Sequence, residues 1–147
     1  MEVINETSFD KTRKIIQKAE GEKIFSSNDD ELNRKVLEKL GIDVLLLNLS
    51  GRKDRLKQRD SGFNQVLAKL AKKNNVLIGI NFDEIIESKN EKREKILARV
   101  KQNIRLCNKN KLKMKFIIQE KENERNIYDL RALGLVLGMP TWMIRDL

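Results

Sequence analysis

Short continuous apolar runs alternate along this chain with segments whose apolar positions recur every three to four residues, which predicts strands and helices in turn. Residues 2–5 and 23–26 read as short strands, and between them Phe9, Ile15, Ile16 and Ala19 suit a helix that ends at Gly21. Asn28 or Asp29 can cap the next helix, whose stripe is Leu32, Val36, Leu37 and Leu40, with Gly41 as its stop. The run Val44, Leu45, Leu46, Leu47 inside residues 43–48 has no polar position, as in strands covered on both faces. Residues 49–61, LSGRKDRLKQRDS, are polar and basic and read as an exposed loop. After it, Phe63, Val66, Leu67, Leu70 and Ala71 share the spacing of one helix face.

Residues 76–81 form another buried-type strand, and 82–87 a short helical turn. The helix predicted over 91–109 turns Ile96, Leu97, Val100, Ile104 and Cys107 inward and sets Lys95, Arg99, Lys101, Arg105 and Lys109 on the opposite arc. Residues 113–118 are the last strand, 119–126 a charged loop, and 128–137 an apolar helix stopped by Gly138 and Pro140. Strands and helices in this alternation predict an α/β fold with a parallel sheet and right-handed crossovers, in a single domain over 1–147. Five strands are too few for an eightfold barrel, which takes about 250 residues. The expectation is an open sheet or part of a barrel.

Composition removes several chemistries. The 147 residues contain no His and one Cys, so imidazole-based triads, His-ligated metals, Cys-rich zinc sites and internal disulfides are excluded. Cys107 lies on an apolar stripe and reads as a buried structural thiol. Neither a Walker-type phosphate loop nor G-x-G-x-x-G occurs. No apolar stretch approaches the roughly 20 residues that span a bilayer, and a lone thiol suits the reducing cytoplasm. Asp83, Glu84, Glu120, Asp54 and Asp60 follow strands or lie in the basic loop, where a two-metal phosphoesterase would gather carboxylates. The plainer reading is a solvated rim with helix caps.

Charge changes the picture more. Lys plus Arg number 31 against 22 Asp plus Glu, a formal net charge of +9. Arg52, Lys53, Arg55, Lys57 and Arg59 crowd one loop, Lys69, Lys72 and Lys73 follow on the next helix, and 91–109 adds a further cationic arc. Ligands of α/β folds bind at the loops beyond the strand ends, so the loop and the lysines after it favour a nucleic acid over simple solvation. Phosphates neutralised there would release counterions, and binding would fall steeply with salt. Aromatics are 5% and mostly apolar-patterned, so backbone and shape of a folded RNA fit better than base stacking. An acidic protein docked on the basic loop is the remaining alternative.

The blocks GRKD at 51–54, DSGFNQVLAKLAKKNNVLIGIN at 60–81, RVKQNIRLCNKNKLK at 99–113 and YDLRALGLVLGM at 128–139 occur in the order and near the spacing of one family. The chain resembles ribonuclease P protein component 3, the barrel-like protein subunit of the enzyme that trims the 5′ ends of precursor tRNA. The resemblance implies a parallel-strand (β/α) barrel-like fold, shortened to about five βα units and related to metal-dependent phosphoesterases without their metal ligands. It implies no catalytic residues and no metal in this chain: the RNA subunit would do the chemistry with Mg²⁺, while this chain binds the catalytic RNA. Further implied partners are ribonuclease P protein component 2, in a heterotetramer, the other protein subunits, and precursor tRNA indirectly.

Matched position by position, Lys35, Arg52, Lys53, Lys73 and Arg125 fall on basic positions of the family. With Arg55, Lys72, Arg99 and Arg105 they make up the expected RNA or partner contacts. Asp129 of the YDL block is expected at a helix N-terminus. Three departures stand out. Residues 55–59 interrupt a family loop that runs from GRKD directly to SG, and Ile127 replaces a proline before YDL. The family's first βα units and its last segment have no counterpart, so the exposed sheet edges are expected to be covered by a homodimer contact, the partner protein or RNA.

Overall fold

In the computed structural model, which describes residues 2–147, every predicted strand is present. The order is β1 (Val3–Asn5), α1 (Phe9–Lys18), β2 (Ile24–Ser26), α2 (Asp30–Lys39), β3 (Val44–Leu47), α3 (Gln65–Lys73), β4 (Leu77–Asn81), α4 (Phe82–Glu87), α5 (Asn90–Lys109), β5 (Met114–Ile117), α6 (Ile127–Val136) and α7 (Thr141–Arg145). All pairings are parallel and the strands lie in the order β1-β2-β3-β4-β5. Each crossover therefore steps one strand in the same direction. A doubly wound sheet reverses its order at a switch point; this one never does, and winding in a single direction is how a (β/α) barrel is built. Among the described residues β1 and β5 each pair with one neighbour only, so the barrel-like sheet is open.

The pleat sorts the strand residues onto two apolar faces. Ile4, Phe25, Leu45, Ile78 and Met114 are consecutive partners across the sheet and face the helices, together with Leu47, Ile80 and Phe116. Ile16, Leu37, Leu67, Ala71, Val100 and Ile104 of α1, α2, α3 and α5 complete that core. On the opposite, concave face Ile24, Val44, Leu46 and Ile117 form a second buried cluster, with Val3 and Leu77 against it. Hence β3 reads as an unbroken aliphatic run. Gly79 lies at the centre of the concave face, where a Cβ would meet Ile117 Cγ1 at 3.1 Å, Val44 Cγ1 at 3.1 Å and Leu46 Cδ1 at 3.2 Å.

Capping sets the helix starts. Asp29 accepts from the amides of Glu31 and Leu32 and opens α2. Asn64 accepts from Leu67 N and opens α3. Phe63 thus packs from outside the helix, and the buried arc is Leu67, Ala68 and Ala71, which leaves Val66 52% exposed instead of inward. Gly41 is not a left-handed stop, since α2 ends in the extended cap Leu40. The short helix α7 has no counterpart among the predicted elements; α6 closes at Leu137 and Gly138, the latter at φ 98°, Pro140 opens α7, and Met143 anchors it with no exposed surface. Cys107 is fully buried, and burial pushes its thiol up to about 12.

Gly79→Val should cost about 1–3 kcal/mol of stability, because the added methyls enter a face that is already filled. Equilibrium denaturation in urea measures it, and an unchanged midpoint would mean that the concave face is loose.

Candidate nucleic-acid interface

The basic loop after β3 is held in place by two arginines that were expected to leave the protein surface. Arg99, on α5, is 3% exposed. Its Nε donates to Asp60 O at 2.8 Å, Nη1 to Leu49 O at 3.2 Å, and Nη2 to Arg52 O at 2.8 Å and Asp54 Oδ1 at 3.0 Å. One planar fork thereby joins the start, middle and end of the loop. Arg52, with a side chain 9% exposed, donates through Nη1 and Nη2 to both oxygens of Asp30 at 2.8 and 2.9 Å, through Nη1 to Asp60 at 3.4 Å, and through Nε to Asn48 O at 2.7 Å. It ties the loop to α2. Gly62, at φ 70°, allows this, since a Cβ there would overlap the Arg52 guanidinium.

These placements correct two expectations. Arg99 is not on a solvated arc; the long loop folds over that flank of α5 and supplies three backbone carbonyls that a charged fork can satisfy. Nor is the 49–61 segment simply exposed, because Leu49 and Ser61 are buried at its ends. Residues 55–59 close on themselves through paired backbone bonds between Arg55 and Gln58 at 2.8 and 3.2 Å. That returns the chain beside its departure point, where Asp60 N donates to Asp54 Oδ1 at 2.9 Å. This small closed turn carries Arg55, Lys57 and Arg59 outward.

Ionisation follows from these contacts. The Asp54 carboxyl is held below its ordinary range, first by the Asp60 amide and then by Arg99. Burial works against the charge on Arg52, but hydrogen bonds and attraction from Asp30 and Asp60 prevail and raise its pKa. Glu84, which accepts from Leu49 N at 2.9 Å and Ser50 N at 3.3 Å, is raised by burial despite those amides.

The other acids have structural partners as well. Asp83 accepts from Gln119 N at 2.8 Å and Asn123 Nδ2 at 2.9 Å, and so anchors the loop after β5. Across the strand ends themselves runs a chain of neutral groups. Asn81 Nδ2 donates to Asn48 Oδ1 at 3.0 Å, and Asn48 Nδ2 donates to Ser26 Oγ at 3.0 Å and Asn28 Oδ1 at 3.3 Å. Amides already paired with one another do not fit a divalent-cation site. Among the described residues no three Asp, Glu or Cys gather to share an ion.

The predicted cations separate into two ends. Lys53 and Arg55 are exposed on the clamped loop at the strands' C-terminal side, with Lys57 and Arg59 beside them. Arg125 is exposed after β5 on the same side, and Lys35 is exposed on α2. Lys72 and Lys73 end α3, which runs back along the sheet, and Lys72 donates to Lys111 O at 3.0 Å. Lys72 lines a cleft with Lys111 and Lys113 where β4 and β5 begin, so it does not join the loop. Arg105 is exposed on α5 one turn beyond Gln102, whose Nε2 donates to Arg59 O at 3.1 Å. Two further cations, which the sequence pattern did not single out, border the site: Arg34, on a groove between α2 and the loop, and Lys92, beside Arg52. Helical spacing shows that they are outward; only the sheet order shows what they face.

Residues 24–142 match the model of the family RNase P subunit p30. Ribonuclease P protein component 3 of Methanococcus maripaludis strain S2 is 30% identical over 115 residues, covering 78% of this chain and 45% of that protein. Its namesake in Methanocaldococcus jannaschii is 32% identical over 115 residues, 76% of this chain and 47% of the relative. Among solved structures, a chain of the cryo-EM structure of archaeal ribonuclease P with mature tRNA superposes with a TM-score of 0.76 at 26% identity. That match takes in 96% of this chain and 61% of the solved one. The chain spans about half the length of the relatives it matches.

Arg99→Met should destabilise by about 3 kcal/mol, because it strands the carbonyls of Leu49, Arg52 and Asp60. Arg99→Lys should recover little of that, since an ammonium cannot span the fork. Both variants should be cut faster by trypsin within 52–59, and wild-type resistance in either would refute the clamp.

Asp54 also predicts a pH effect. Its lowered folded-state pKa gives stability that is complete above its unfolded value and lost as pH falls through the folded one. Glu84, shifted the other way, loses stability as pH rises, so Asp54→Asn isolates the first effect. Stability of wild type should drop more than that of Asp54→Asn between about pH 5 and pH 3. Parallel curves would contradict the assignment.

Proposed function

The chain belongs to the RNase P subunit p30 family, and on that premise we propose that it serves ribonuclease P as a non-catalytic protein subunit. It binds the catalytic RNA through fixed cations and stabilises the fold in which that RNA removes the 5′ leader of precursor tRNA. The observation that carries this reading is the clamped loop: Arg52 and Arg99 are consumed in holding it, and Lys53, Arg55, Lys57 and Arg59 are thereby presented on a rigid base. Cations fixed before binding lose less conformational entropy on meeting phosphates than free side chains do. Close packing of RNA helices is opposed by phosphate repulsion, and such a surface lowers the Mg²⁺ that the RNA needs.

Phosphodiester hydrolysis in this reading belongs to the RNA and its Mg²⁺, with no cofactor bound by this chain. The carboxylates of Asp54, Asp60, Asp83 and Glu84 instead accept backbone amides or arginine. Component 2 and the other ribonuclease P proteins are the protein partners we propose, in a homodimer or heterotetramer, and the cytoplasm is the compartment.

Reconstituted 5′ processing with the catalytic RNA and its other subunits at limiting Mg²⁺ tests the proposal. Adding this chain should raise the rate, and the chain alone should cleave nothing. Cleavage by the chain without RNA would instead establish a protein phosphoesterase, and retained assembly after nuclease digestion with no RNA affinity would establish a protein-docking scaffold. Replacing Lys53 and Lys57 together by Ala should lower the slope of log affinity against log salt by about two, one for each phosphate no longer neutralised. An unchanged slope removes both from the interface.

A further inference from the structure

A groove of about 530 Å³ lies between the clamped loop, the start of α2 and the start of α3. It differs from a plain cationic surface in having an apolar floor. Phe63 and Leu67 supply buried apolar surface, and Val66 stands 52% exposed among them. Arg34, Arg55 and Arg59 line the sides. Three acids also border the groove: Asp30 and Asp60 are bound to Arg52, and Glu31 is exposed without an ion pair among the described residues, so the lining arginines exceed the free carboxylates by two. None of the three lining arginines makes an ion pair among the described residues.

From this combination we propose that the groove receives an unpaired nucleotide of RNA. The floor takes the base, and the arginines stack on its plane and pair with the flanking phosphates. Base faces are flat, apolar and polarisable, and guanidinium planes stack on them. The volume lies within the range of about 300–1,000 Å³ for small-ligand clefts, which suits one nucleotide and not a duplex. Charge selects the occupant, because three free guanidinium groups favour a polyanion. Part of the groove is built from residues 55–59 of the clamped loop. The proposal rests on the RNA-binding reading above and adds to it a component that depends on bases.

The test compares three probes on the full chain: a single-stranded RNA hexamer, the same backbone with every base removed, and a blunt duplex of six base pairs. Wild type should bind the hexamer about tenfold more tightly than the abasic strand. Val66→Asp, at a position already exposed, should bring the two strands to equal affinity and leave duplex binding in place. The pair Lys53→Ala and Lys57→Ala should weaken all three probes alike. Equal binding of hexamer and abasic strand by wild type, or a preference that survives Val66→Asp, overturns the groove while the RNA-binding reading stands if duplex and catalytic RNA still bind. Loss of all RNA binding, catalytic RNA included, overturns both. Displacement of the hexamer by an equal concentration of an acidic hexapeptide containing Phe would replace the nucleotide with a protein partner.

Discussion

The Arg99 guanidinium, buried among the carbonyls of Leu49, Arg52 and Asp60, is the interaction on which the functional face depends. A buried cation is costly unless its donors are satisfied, and here the acceptors are backbone groups of one loop, with Asp54 as the counterion. The arrangement works in both directions. The charge requires the loop to stay closed, and the loop requires the charge because its own carbonyls have no strand or helix to pair with. Arg52 repeats the device towards Asp30, so the basic segment is joined to both α5 and α2. Two of the cations that make this sequence look like a polyanion binder are thus what holds the others in position.

Winding decides where that loop sits. Because the strands follow one another without reversal, all major helices cover one face and the loops after the strands collect at one end. In metal-dependent barrels, that end is where carboxylates converge on ions. Here it carries an amide chain from Asn81 through Asn48 to Ser26 and Asn28, while the nearby acids cap amides or neutralise arginine. Those positions here sustain neighbouring loops, which supports the non-catalytic role proposed above.

The net charge of +9 is therefore not one patch. Part is internal, part lies at the loop end of the sheet, and part, including Lys72, Lys111 and Lys113, borders a cleft at the opposite end. On the RNA-binding reading proposed above, long-range attraction of a polyanion depends on all of it, and position and specificity on the fraction held at the loop end.

Strand positions, the parallel α/β class and the exclusion of histidine chemistry were legible from the amino acids alone. Two-sided apolar runs and helical spacing are local patterns, and they survive into the structure for the same reason that they can be read. The family was legible too, since four blocks kept their order. The fate of Arg52 and Arg99 was not. Helical spacing assigns a charged residue to the outward arc by default, and nothing local distinguishes an arginine that meets water from one beneath a loop 39 to 50 residues away in sequence. Likewise the spacing of Val66 places it on the buried arc, while the Asn64 cap turns the helix and leaves it in an arginine-lined groove. Local periodicity is a property of backbone geometry and can be read in one dimension. Whether a charge is spent inside or offered outside depends on which distant carbonyls the sheet order brings within hydrogen-bond reach, and that is decided only when the chain closes.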